Sequence, residues 1–259
     1  MKLIIGGDSF LGKNLSYLWD KNKIAYHAST RQQSSVQAKK PFLDLANLEG
    51  LDFNSNYSSA VLLAGNTSLQ ACENDPLSTR KINVEALFRI AKHLTSIGVF
   101  VLFISSNQVF SGNKPLSKTT DKKTPINQYG KQKAELEDLL TRLENISILR
   151  ITKVINYDDG LFADWLTQLK NNQKIKAFID MSLSPLSLDE AISKIDNLLK
   201  NKVEGIHHCS GKNDISYFKF AQNLALEHGY PIQLVEEDQL KKNNISFHVP
   251  LYTSLSIDN

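Results

Sequence analysis

Short apolar runs alternate, over the first 155 residues, with longer segments in which apolar residues recur at helical spacing. The apolar runs are KLIIG, IAYHAS, SAVLLAG, VFVLFISS and ISILRI, and the helical segments include FLGKNLSYLWDK and LSTRKINVEALFRIAKHLTSI. Strands that alternate with helices are typical of βαβ units. Runs such as AVLLA and VFVLFI are apolar at successive positions, as in parallel strands that helices cover on both faces. The pattern predicts an α/β fold with a doubly wound parallel sheet.

The alternation changes after about Asn156. Three segments there have the period of amphipathic helices: GLFADWLTQLKNNQK, SLDEAISKIDNLLK and SYFKFAQNLALEHG. The apolar stretch GIHHCSG separates the second from the third. We therefore expect a body of residues 1–155 and a smaller portion of residues 156–259 that returns some segments to the body.

The first strand runs into GGDSFLGKN, which fits two phosphate-binding patterns. Counted from Gly7, the loop has the G-x-x-x-x-G-K spacing of a P-loop, but Asn14 stands where a Ser or Thr must bind magnesium. A P-loop enzyme also needs a second apolar strand that ends in an aspartate, and AVLLAG and VLFISS both end without a carboxylate. The P-loop interpretation is therefore disfavoured.

Counted from Gly6, the same loop reads G-x-x-S-x-x-G, a dinucleotide fingerprint in which Ser9 replaces the middle glycine and Gly12 is the last. The following strand, IAYHAS, leads into Thr30 and Arg31 and offers no carboxylate to a ribose 2′-hydroxyl. A hydroxyl and a guanidinium suit a 2′-phosphate instead, so we expect NADPH in preference to NADH, with NADH as a substitute. The alternative for Arg31 is an ordinary solvated residue of a polar loop.

The spacing Y-x-x-x-K occurs twice, as Tyr17 with Lys21 and as Tyr129 with Lys133. This spacing places both side chains on one helix face, where an ammonium lowers the pKa of a tyrosine. The connection after VLFISS is long enough to bring the helix of Tyr129 back over the sheet, next to the two serines that end this strand. We therefore expect the second pair to be functional and Tyr17 to lie on a helix surface.

Composition excludes several classes of function. The chain has 30 Lys and Arg against 27 Asp and Glu, a net charge of +3, and has no polybasic block for a nucleic acid. Its two cysteines, Cys72 and Cys209, form no C-x-x-C, and no His pair has metal-ligand spacing, so we expect neither disulfides nor a metal site. The first apolar run is too short for a signal peptide or a membrane span. We expect a cytoplasmic protein without a nucleic-acid or membrane partner.

Together these motifs resemble the extended short-chain dehydrogenase/reductase family, and within it the dTDP-4-dehydrorhamnose reductase group. The resemblance extends to AGNTSLQACENDP and to Asn83 in KINVEAL. ISSNQVFSG is similar to the group's I-S-T-D-Y-V-F-x-G, and PINQYGKQKAELE to its P-x-N-x-Y-G-x-x-K. The resemblance implies a Rossmann body that binds NAD(P), followed by a mostly substrate-binding portion.

The resemblance also implies a catalytic set of Ser106, Tyr129 and Lys133. In the implied reaction a hydride passes from the nicotinamide to the carbonyl carbon of a sugar, Ser106 binds the carbonyl oxygen, and Tyr129 delivers a proton to it. Lys133 keeps Tyr129 acidic and holds the ribose. The implied cofactor contacts are Gly6, Ser9, Phe10, Leu11, Gly12, Thr30, Arg31, Asp44, Leu45, Ala64, Gly65, Tyr129 and Lys133. The implied substrate contacts are Thr67, Leu69, Ser106, Asn107, Gln108 and Lys153, with core packing as an alternative for Leu69.

Three of these positions depart from the group. Asn107 and Gln108 replace an Asp and a Tyr, and Lys153 replaces an aromatic residue, which changes how a sugar ring is held. We therefore expect reduction of a related nucleotide-linked keto-sugar, in surface polysaccharide synthesis, rather than of dTDP-4-dehydrorhamnose itself. An epimerase or dehydratase of the same family, and a non-catalytic regulatory subunit that binds the cofactor, are the alternatives. A homodimer stays open.

Overall fold

The computed structural model describes residues 1–48, 53, 56–243 and 247–257. The strands within these ranges are β1 (Lys2–Ile5), β2 (Tyr26–Ala28), β3 (Ser59–Leu62), β4 (Phe100–Ser106), β5 (Ile146–Ile151), β6 (Ile175–Phe178), β7 (Ser182–Leu183), β8 (Gly205–Cys209), β9 (Ile215–Ser216) and β10 (Val235–Asp238). Six of them form the main sheet, in the order β2-β1-β3-β4-β5-β8, with every neighbouring pair parallel.

The helices are α1 (Phe10–Lys21), α2 (Leu69–Asn74), α3 (Pro76–Arg80), α4 (Leu87–Ser96), α5 (Gln128–Leu140), α6 (Leu161–Lys170), α7 (Leu188–Asn201) and α8 (Tyr217–Glu227). A π-helical segment, Lys81–Ala86, joins α3 to α4 without a break, and Asn107–Val109 forms a 3₁₀ turn directly after β4. The helix of the second Y-x-x-x-K pair is α5, and the helix of the first pair is α1.

Two apolar layers cover the main sheet. On one face, Leu87 and Leu94 of α4 and Leu136 of α5 pack with the strands in a single buried cluster. On the other face, Trp19 of α1 and Ile195 of α7 do the same. The strands are buried on both faces because parallel strands with helical crossovers are enclosed between the two helix layers. The doubly wound parallel sheet predicted from the sequence is confirmed.

The carboxyl ends of the strands lie at one edge of the sheet, and the strand order reverses between β1 and β3. Crevices at such a switch point are where open α/β sheets bind ligands. The glycine loop follows β1, and the stretch that begins at Leu63 follows β3. This edge of the sheet is therefore where a functional site is expected.

Residues after β5 form a second packed unit and also return to the sheet. A third buried cluster contains Phe162 and Trp165 of α6, Tyr217 of α8 and Val235 of β10. β6 pairs with β10 and β7 with β9, in two small sheets. In contrast, β8 pairs with β5 in the main sheet. The boundary near residue 155 stays a prediction.

Asp196 of α7 connects this later part of the chain to its beginning. Its Oδ1 accepts hydrogen bonds from the ammonium of Lys2 at 2.9 Å and from the indole of Trp19 at 2.7 Å. The Lys2 ammonium also lies 4.6 Å from the centroid of the Trp19 ring. The first strand and first helix are thus held by a helix that begins after residue 187.

No helix in the ranges given above combines the length and the apolar composition that a membrane crossing requires.

Candidate active site

The glycine loop fits the dinucleotide register because two of its glycines have no room for a side chain. Gly6 has a φ of +100°, and a Cβ there would lie 2.6 Å from the amide nitrogen of Ala64. A Cβ on Gly12 would lie 2.3 Å from the carbonyl oxygen of Gly6. The first glycine allows the tight turn towards β3, and the last allows α1 to approach the loop closely.

Ser9, at the position of the middle glycine, has a structural role in the loop. It is the N-cap of α1: its hydroxyl accepts a hydrogen bond from the amide of Gly12 at 3.1 Å and donates one to the carbonyl of Gly6 at 2.7 Å. The hydroxyl proton of Ser9 is thus directed to the carbonyl of Gly6. Ser9 stabilises the loop that the two flanking glycines shape.

Asp8 is a functional candidate that the sequence analysis missed. Its carboxylate accepts a hydrogen bond of 2.5 Å from the hydroxyl of Thr30 and pairs with the ammonium of Lys40 at 2.8 Å. Burial raises the pKa of Asp8, but hydrogen bonds from Lys40 and Thr30 outweigh it and hold the pKa below its usual value. The sequence feature that marks it is an acidic residue inside the glycine loop. The loop therefore carries a fixed negative charge.

A cavity of about 550 Å³, here called the loop cavity, opens between the glycine loop and the end of β3. The expected cofactor contacts on its wall are Gly6, Ser9, Arg31, Asp44, Leu45, Ala64 and Gly65. Thr30 and Gly12 are not among the lining residues: Thr30 is 2% exposed and bonded to Asp8, and Gly12 is buried under the loop. Thr30 and Gly12 therefore lie behind the residues that form the cavity wall.

A second cavity of about 470 Å³, the tyrosine cavity, adjoins the first. Ser9, Leu63 and Thr67 line both cavities. The expected site residues on its wall are Phe10, Leu11, Thr67, Leu69, Ser106, Asn107, Gln108, Tyr129, Lys133 and Lys153. Leu69 is half-buried and begins α2. The structure thus brings the whole set of expected substrate contacts to one cavity.

Several lining residues of the tyrosine cavity were missed by the sequence analysis. They come from the second packed unit and the last residues of the chain: Met181, Ser182, Leu183, Tyr217, Val249, Pro250 and Thr253. No motif marks them, since they reach the cavity only through the packing of distant segments. Asp214 holds one of these segments, because its carboxylate accepts hydrogen bonds from the amides and hydroxyls of Thr253 and Ser254.

The beginning of α5 is fixed tightly against the end of β4. Asn127 caps the helix by accepting from the amide of Gly130 at 2.8 Å, and it donates to the side chain of Gln108 at 2.8 Å. A Cβ on Gly130 would lie 2.1 Å from the carbonyl oxygen of Gln108. The G of the Q-Y-G-K segment is therefore required for close approach, which sets the position of Tyr129 beside the 3₁₀ turn.

Tyr129 and Lys133 lie one turn apart on α5, buried, with 5.7 Å between the ammonium and the ring centroid. The ammonium donates to the carbonyl of Ile104 at 2.9 Å. Burial lowers the pKa of Lys133 to about 8, and burial raises the pKa of Tyr129, an effect that its interaction with the Ser106 side chain partly offsets. The phenol is therefore protonated at neutral pH, with a cation beneath it. The expectation that Lys133 keeps Tyr129 acidic is corrected here, because burial raises the pKa of the phenol.

The two serines at the end of β4 have different partners. The hydroxyl of Ser106 accepts from the amide of Gln108 at 3.2 Å, on the cavity side. The hydroxyl of Ser105 donates to Glu137 at 2.6 Å, and Glu137 also binds the buried Arg150 at 2.7 Å. The expectation that Tyr129 meets both serines is corrected to this extent: the Ser105 hydroxyl belongs to a buried charge network behind the site.

Asn83, in the π-helical segment, connects the loop after β3 to α5. Its side chain accepts from the amide of Asn66 at 2.7 Å, donates to the carbonyl of Asn66 at 2.9 Å, and donates to Gln132 of α5 at 2.8 Å. The loop after β3 is thereby fixed to the helix of Tyr129. Tyr17, of the other Y-x-x-x-K pair, is 71% exposed and lines neither cavity, as expected for a helix surface.

Comparisons with known proteins agree with this architecture. The family described as RmlD substrate binding domain matches residues 1–259. A dTDP-4-dehydrorhamnose reductase of Sinorhizobium fredii is 26% identical over 172 residues, which cover 62% of this chain and 58% of that protein. Methionine adenosyltransferase 2 subunit beta of Bos taurus is 40% identical over 82 residues, which cover 30% of this chain and 24% of that protein.

Among solved structures, a dTDP-4-dehydrorhamnose reductase of Bacillus anthracis in complex with NADP superposes with a TM-score of 0.86. The superposed region covers 99% of this chain and 90% of the Bacillus anthracis chain, at 19% sequence identity. At this identity the likeness establishes the fold, which agrees with the parallel sheet described above. The resemblance expected from the sequence motifs is confirmed at the level of the family.

Proposed function

Since the chain belongs to the RmlD substrate binding domain family, we propose that it is an NADPH-dependent reductase of the keto group of a nucleotide-activated deoxy-sugar. The observation that carries this proposal is the meeting of Ser106, Tyr129 and Lys133 on the wall of the tyrosine cavity, which adjoins the loop cavity. A binding protein has no chemical need for a buried proton donor with a cation beneath it. A reductase of a carbonyl group needs both.

The loop cavity fits a dinucleotide. Gly6 and Gly12 leave no room for a Cβ, so backbone can approach a pyrophosphate, and the amides at the beginning of α1 favour an anion. Ala64, Gly65 and Asp44 would line the bound cofactor, and Arg31 would bind a 2′-phosphate. When bound, the nicotinamide supplies the hydride that reduces the carbonyl carbon.

The residues of the tyrosine cavity account for the other half of the reaction. Tyr129 is protonated and delivers its proton to the carbonyl oxygen as negative charge develops there. Ser106 donates a hydrogen bond to the same oxygen. Lys133 is fixed by the carbonyl of Ile104, and its positive charge stabilises the phenolate left on Tyr129. Because both residues are buried, this electrostatic effect is stronger than in water.

We infer an acceptor sugar related to, and different from, dTDP-4-dehydrorhamnose, because Lys153, Asn107 and Gln108 alter the wall that faces the sugar. Synthesis of surface polysaccharide is the proposed setting, and a cytoplasmic location and a homodimer remain predictions. An epimerase or dehydratase is less well supported: dehydratases place acidic residues beside the catalytic hydroxyl, and SSNQ has none.

A second candidate function is a cofactor-binding subunit of another enzyme. The 40% identity over 82 residues with methionine adenosyltransferase 2 subunit beta of Bos taurus favours this second function. Such a subunit would bind NADPH and would require neither turnover nor the proton donor Tyr129.

The test is a substrate panel. The purified protein is first titrated with NADPH and NADH and is then incubated with NADPH and a set of nucleotide-activated 4-keto-sugars, while NADPH oxidation is followed. A reductase oxidises NADPH with at least one sugar of the set. Tight NADPH binding without oxidation by any sugar would reject the reductase and support the subunit function.

A further inference from the structure

Lys153 lies close to the reacting end of the tyrosine cavity. In the register of the main sheet Ile151 of β5 is opposite Ser106 of β4, and Lys153 is two residues further on. Neighbouring strands are about 5 Å apart and two residues span about 7 Å, so the backbone of Lys153 is about one sugar ring away from Ser106. Its carbonyl accepts from the amide of Leu186 at 2.9 Å, which fixes the backbone there.

The side chain of Lys153 rests on an aromatic surface. Its ammonium lies 5.7 Å from the centroid of the Phe162 ring, which is itself 2% exposed. Phe162 stacks on Tyr217 with 6.3 Å between centroids and contacts Trp165 at 5.6 Å. The Lys153 ammonium therefore lies at cation–π distance from a ring of the buried aromatic cluster that forms one side of the cavity.

The Lys153 ammonium has no anionic partner within the part of the chain that the structure describes. No salt bridge to it is found there, and no Asp or Glu is among the described residues that line the tyrosine cavity. The side chain is open to the cavity, while the protein around it lowers the pKa of the ammonium through burial. A partly desolvated cation of this kind is stabilised when an anion arrives.

Lys133, the other cation on this wall, has a different environment. Its ammonium is 2.9 Å from the carbonyl of Ile104 and faces the ring of Phe103 at 4.5 Å, beneath Tyr129. Lys133 therefore supports the proton donor, and Lys153 is the cation that a substrate group can reach.

We propose that Lys153 binds an oxyanion of the substrate about one sugar ring away from Ser106, and that the nucleotide-activated keto-deoxy-sugar which the enzyme accepts carries a carboxylate substituent. This inference rests on the proposed function, because it places the sugar ring beside Ser106 and Tyr129. An uncharged ring would leave the cation without compensation at this distance. The diphosphate of the nucleotide offers the same oxyanion chemistry and is the alternative source.

The experiment measures binding, by calorimetry, in the presence of saturating NADPH. The probes are UDP-glucuronic acid, UDP-glucose, UDP and uridine, and the proteins are wild type, Lys153→Met, Lys153→Arg and the control Lys219→Met. Lys219 is an exposed lysine of α8 that lines neither cavity. NADPH affinity of each variant reports whether the fold is intact.

With a ring carboxylate as the ligand, wild type binds UDP-glucuronic acid more tightly than UDP-glucose. Lys153→Met removes this preference by weakening UDP-glucuronic acid about 10–100-fold, the range of a charge-assisted hydrogen bond. Lys153→Arg retains most of the preference, and Lys219→Met leaves it unchanged. Equal weakening of binding of UDP-glucuronic acid, UDP-glucose and UDP would show that Lys153 binds the diphosphate. It would contradict the proposal that Lys153 binds a ring carboxylate.

Two outcomes separate this inference from the proposed function. If wild type binds these probes and Lys153→Met binds them equally well, only the role of Lys153 is rejected. If wild type binds NADPH and none of the probes, a uridine-linked sugar acid is rejected, while the reductase stands or falls on the separate NADPH oxidation panel.

Discussion

The ammonium of Lys133 donates a hydrogen bond of 2.9 Å to the main-chain carbonyl of Ile104, two residues before Ser106. This contact ties the helix that carries Tyr129 to the strand that carries Ser106. The three residues of the proposed reaction are thereby held in one geometry, and Lys133 takes part in both the structure and the chemistry of the site.

Replacing Tyr129 by Phe removes the proposed proton donor while keeping the ring. We expect turnover to fall at least about 100-fold, the lower range of what a positioned acid contributes, with NADPH affinity nearly unchanged. Tyr17→Phe, in the other Y-x-x-x-K pair, is the control and should leave turnover intact, since Tyr17 is 71% exposed. NADPH oxidation and NADPH titration measure the two quantities. Equal activity of the two variants would contradict the assignment.

Lys133→Met tests the charge beneath the phenol. The folded-state pKa of about 8 lies below the 10.5 of an ordinary lysine. Between these values the unfolded chain binds a proton that the folded protein does not, so this group makes the folded protein more stable as pH rises from 8 to 10.5. In urea unfolding, the free energy of unfolding of wild type should rise by about 3 kcal/mol relative to that of Lys133→Met over that interval of pH.

The control for this change is Lys131→Met, two residues earlier on α5 and exposed. It should show no such dependence on pH and should keep full turnover, whereas Lys133→Met loses turnover. A parallel pH dependence of the two variants would mean that the Lys133 ammonium is solvated.

Arg31→Ala tests the choice of cofactor. Arg31 lines the loop cavity, and a 2′-phosphate is the group that its guanidinium would bind. We expect NADPH affinity to fall about tenfold or more and NADH affinity to change little, as measured by titration. The control Arg89→Ala changes an exposed arginine of α4 that lines neither cavity. If NADPH and NADH weaken equally, Arg31 has no role in recognising the phosphate.

Asp8→Asn tests the negative charge in the glycine loop. Asp8 engages Lys40 and the hydroxyl of Thr30, and its charge opposes a phosphate in the same cavity. The neutral amide should favour NADPH over NADH by about threefold or more relative to wild type, as expected for loss of a nearby like charge that solvent partly screens. A shift towards NADH would show that Asp8 helps the phosphate indirectly, by positioning Lys40.

Glu137→Gln tests the buried charge network behind the site. Glu137 is fully buried and binds Arg150, Ser105 and Lys123. Loss of one partner leaves the buried Arg150 without its counter-charge, and such changes cost about 3–5 kcal/mol in the free energy of unfolding. The control Glu135→Gln breaks a partly exposed pair with Arg80 and should cost at most about 1 kcal/mol. Similar losses in both variants, measured by urea unfolding, would contradict this difference.

The fold was predictable from the sequence because apolar runs mark the strands of the main sheet and helical period marks most of the connections between them. The connection from β2 to β3 is different, since its described residues contain only a 3₁₀ turn, Gln33–Ser35. The glycine register was also predictable, since the P-loop alternative lacks a hydroxyl at Asn14 and a carboxylate after either candidate strand. Tyr129 was preferred over Tyr17 because the connection after VLFISS is long enough to bring its helix back over the sheet; in the structure Tyr129 lines the tyrosine cavity and Tyr17 is exposed. In these cases local pattern and topology are sufficient.

Side-chain direction was not predictable in the same way. By sequence position, the hydroxyls of Ser9 and Ser105 are both expected near the site. In the structure the Ser9 hydroxyl caps α1 and the Ser105 hydroxyl donates to Glu137. The charged run KQKAELED is typical of a solvated helix face, but Glu137 and Lys133 are buried because partners from β4 and β5 reach them. Such partners are distant in sequence, and the spacing of apolar residues along a helix carries no information about them.

The bond between Asp196 and the first strand sets an order for folding during synthesis. Lys2 and Trp19 leave the ribosome long before Asp196, at about 5–20 residues per second, a delay of about 9–35 s. During that interval the apolar face of α1 that α7 later covers is open to water, and β5 has its edge free until β8 arrives. The nascent chain therefore exposes this apolar face until α7 has been synthesised, and the main sheet is complete only when β8 pairs with β5.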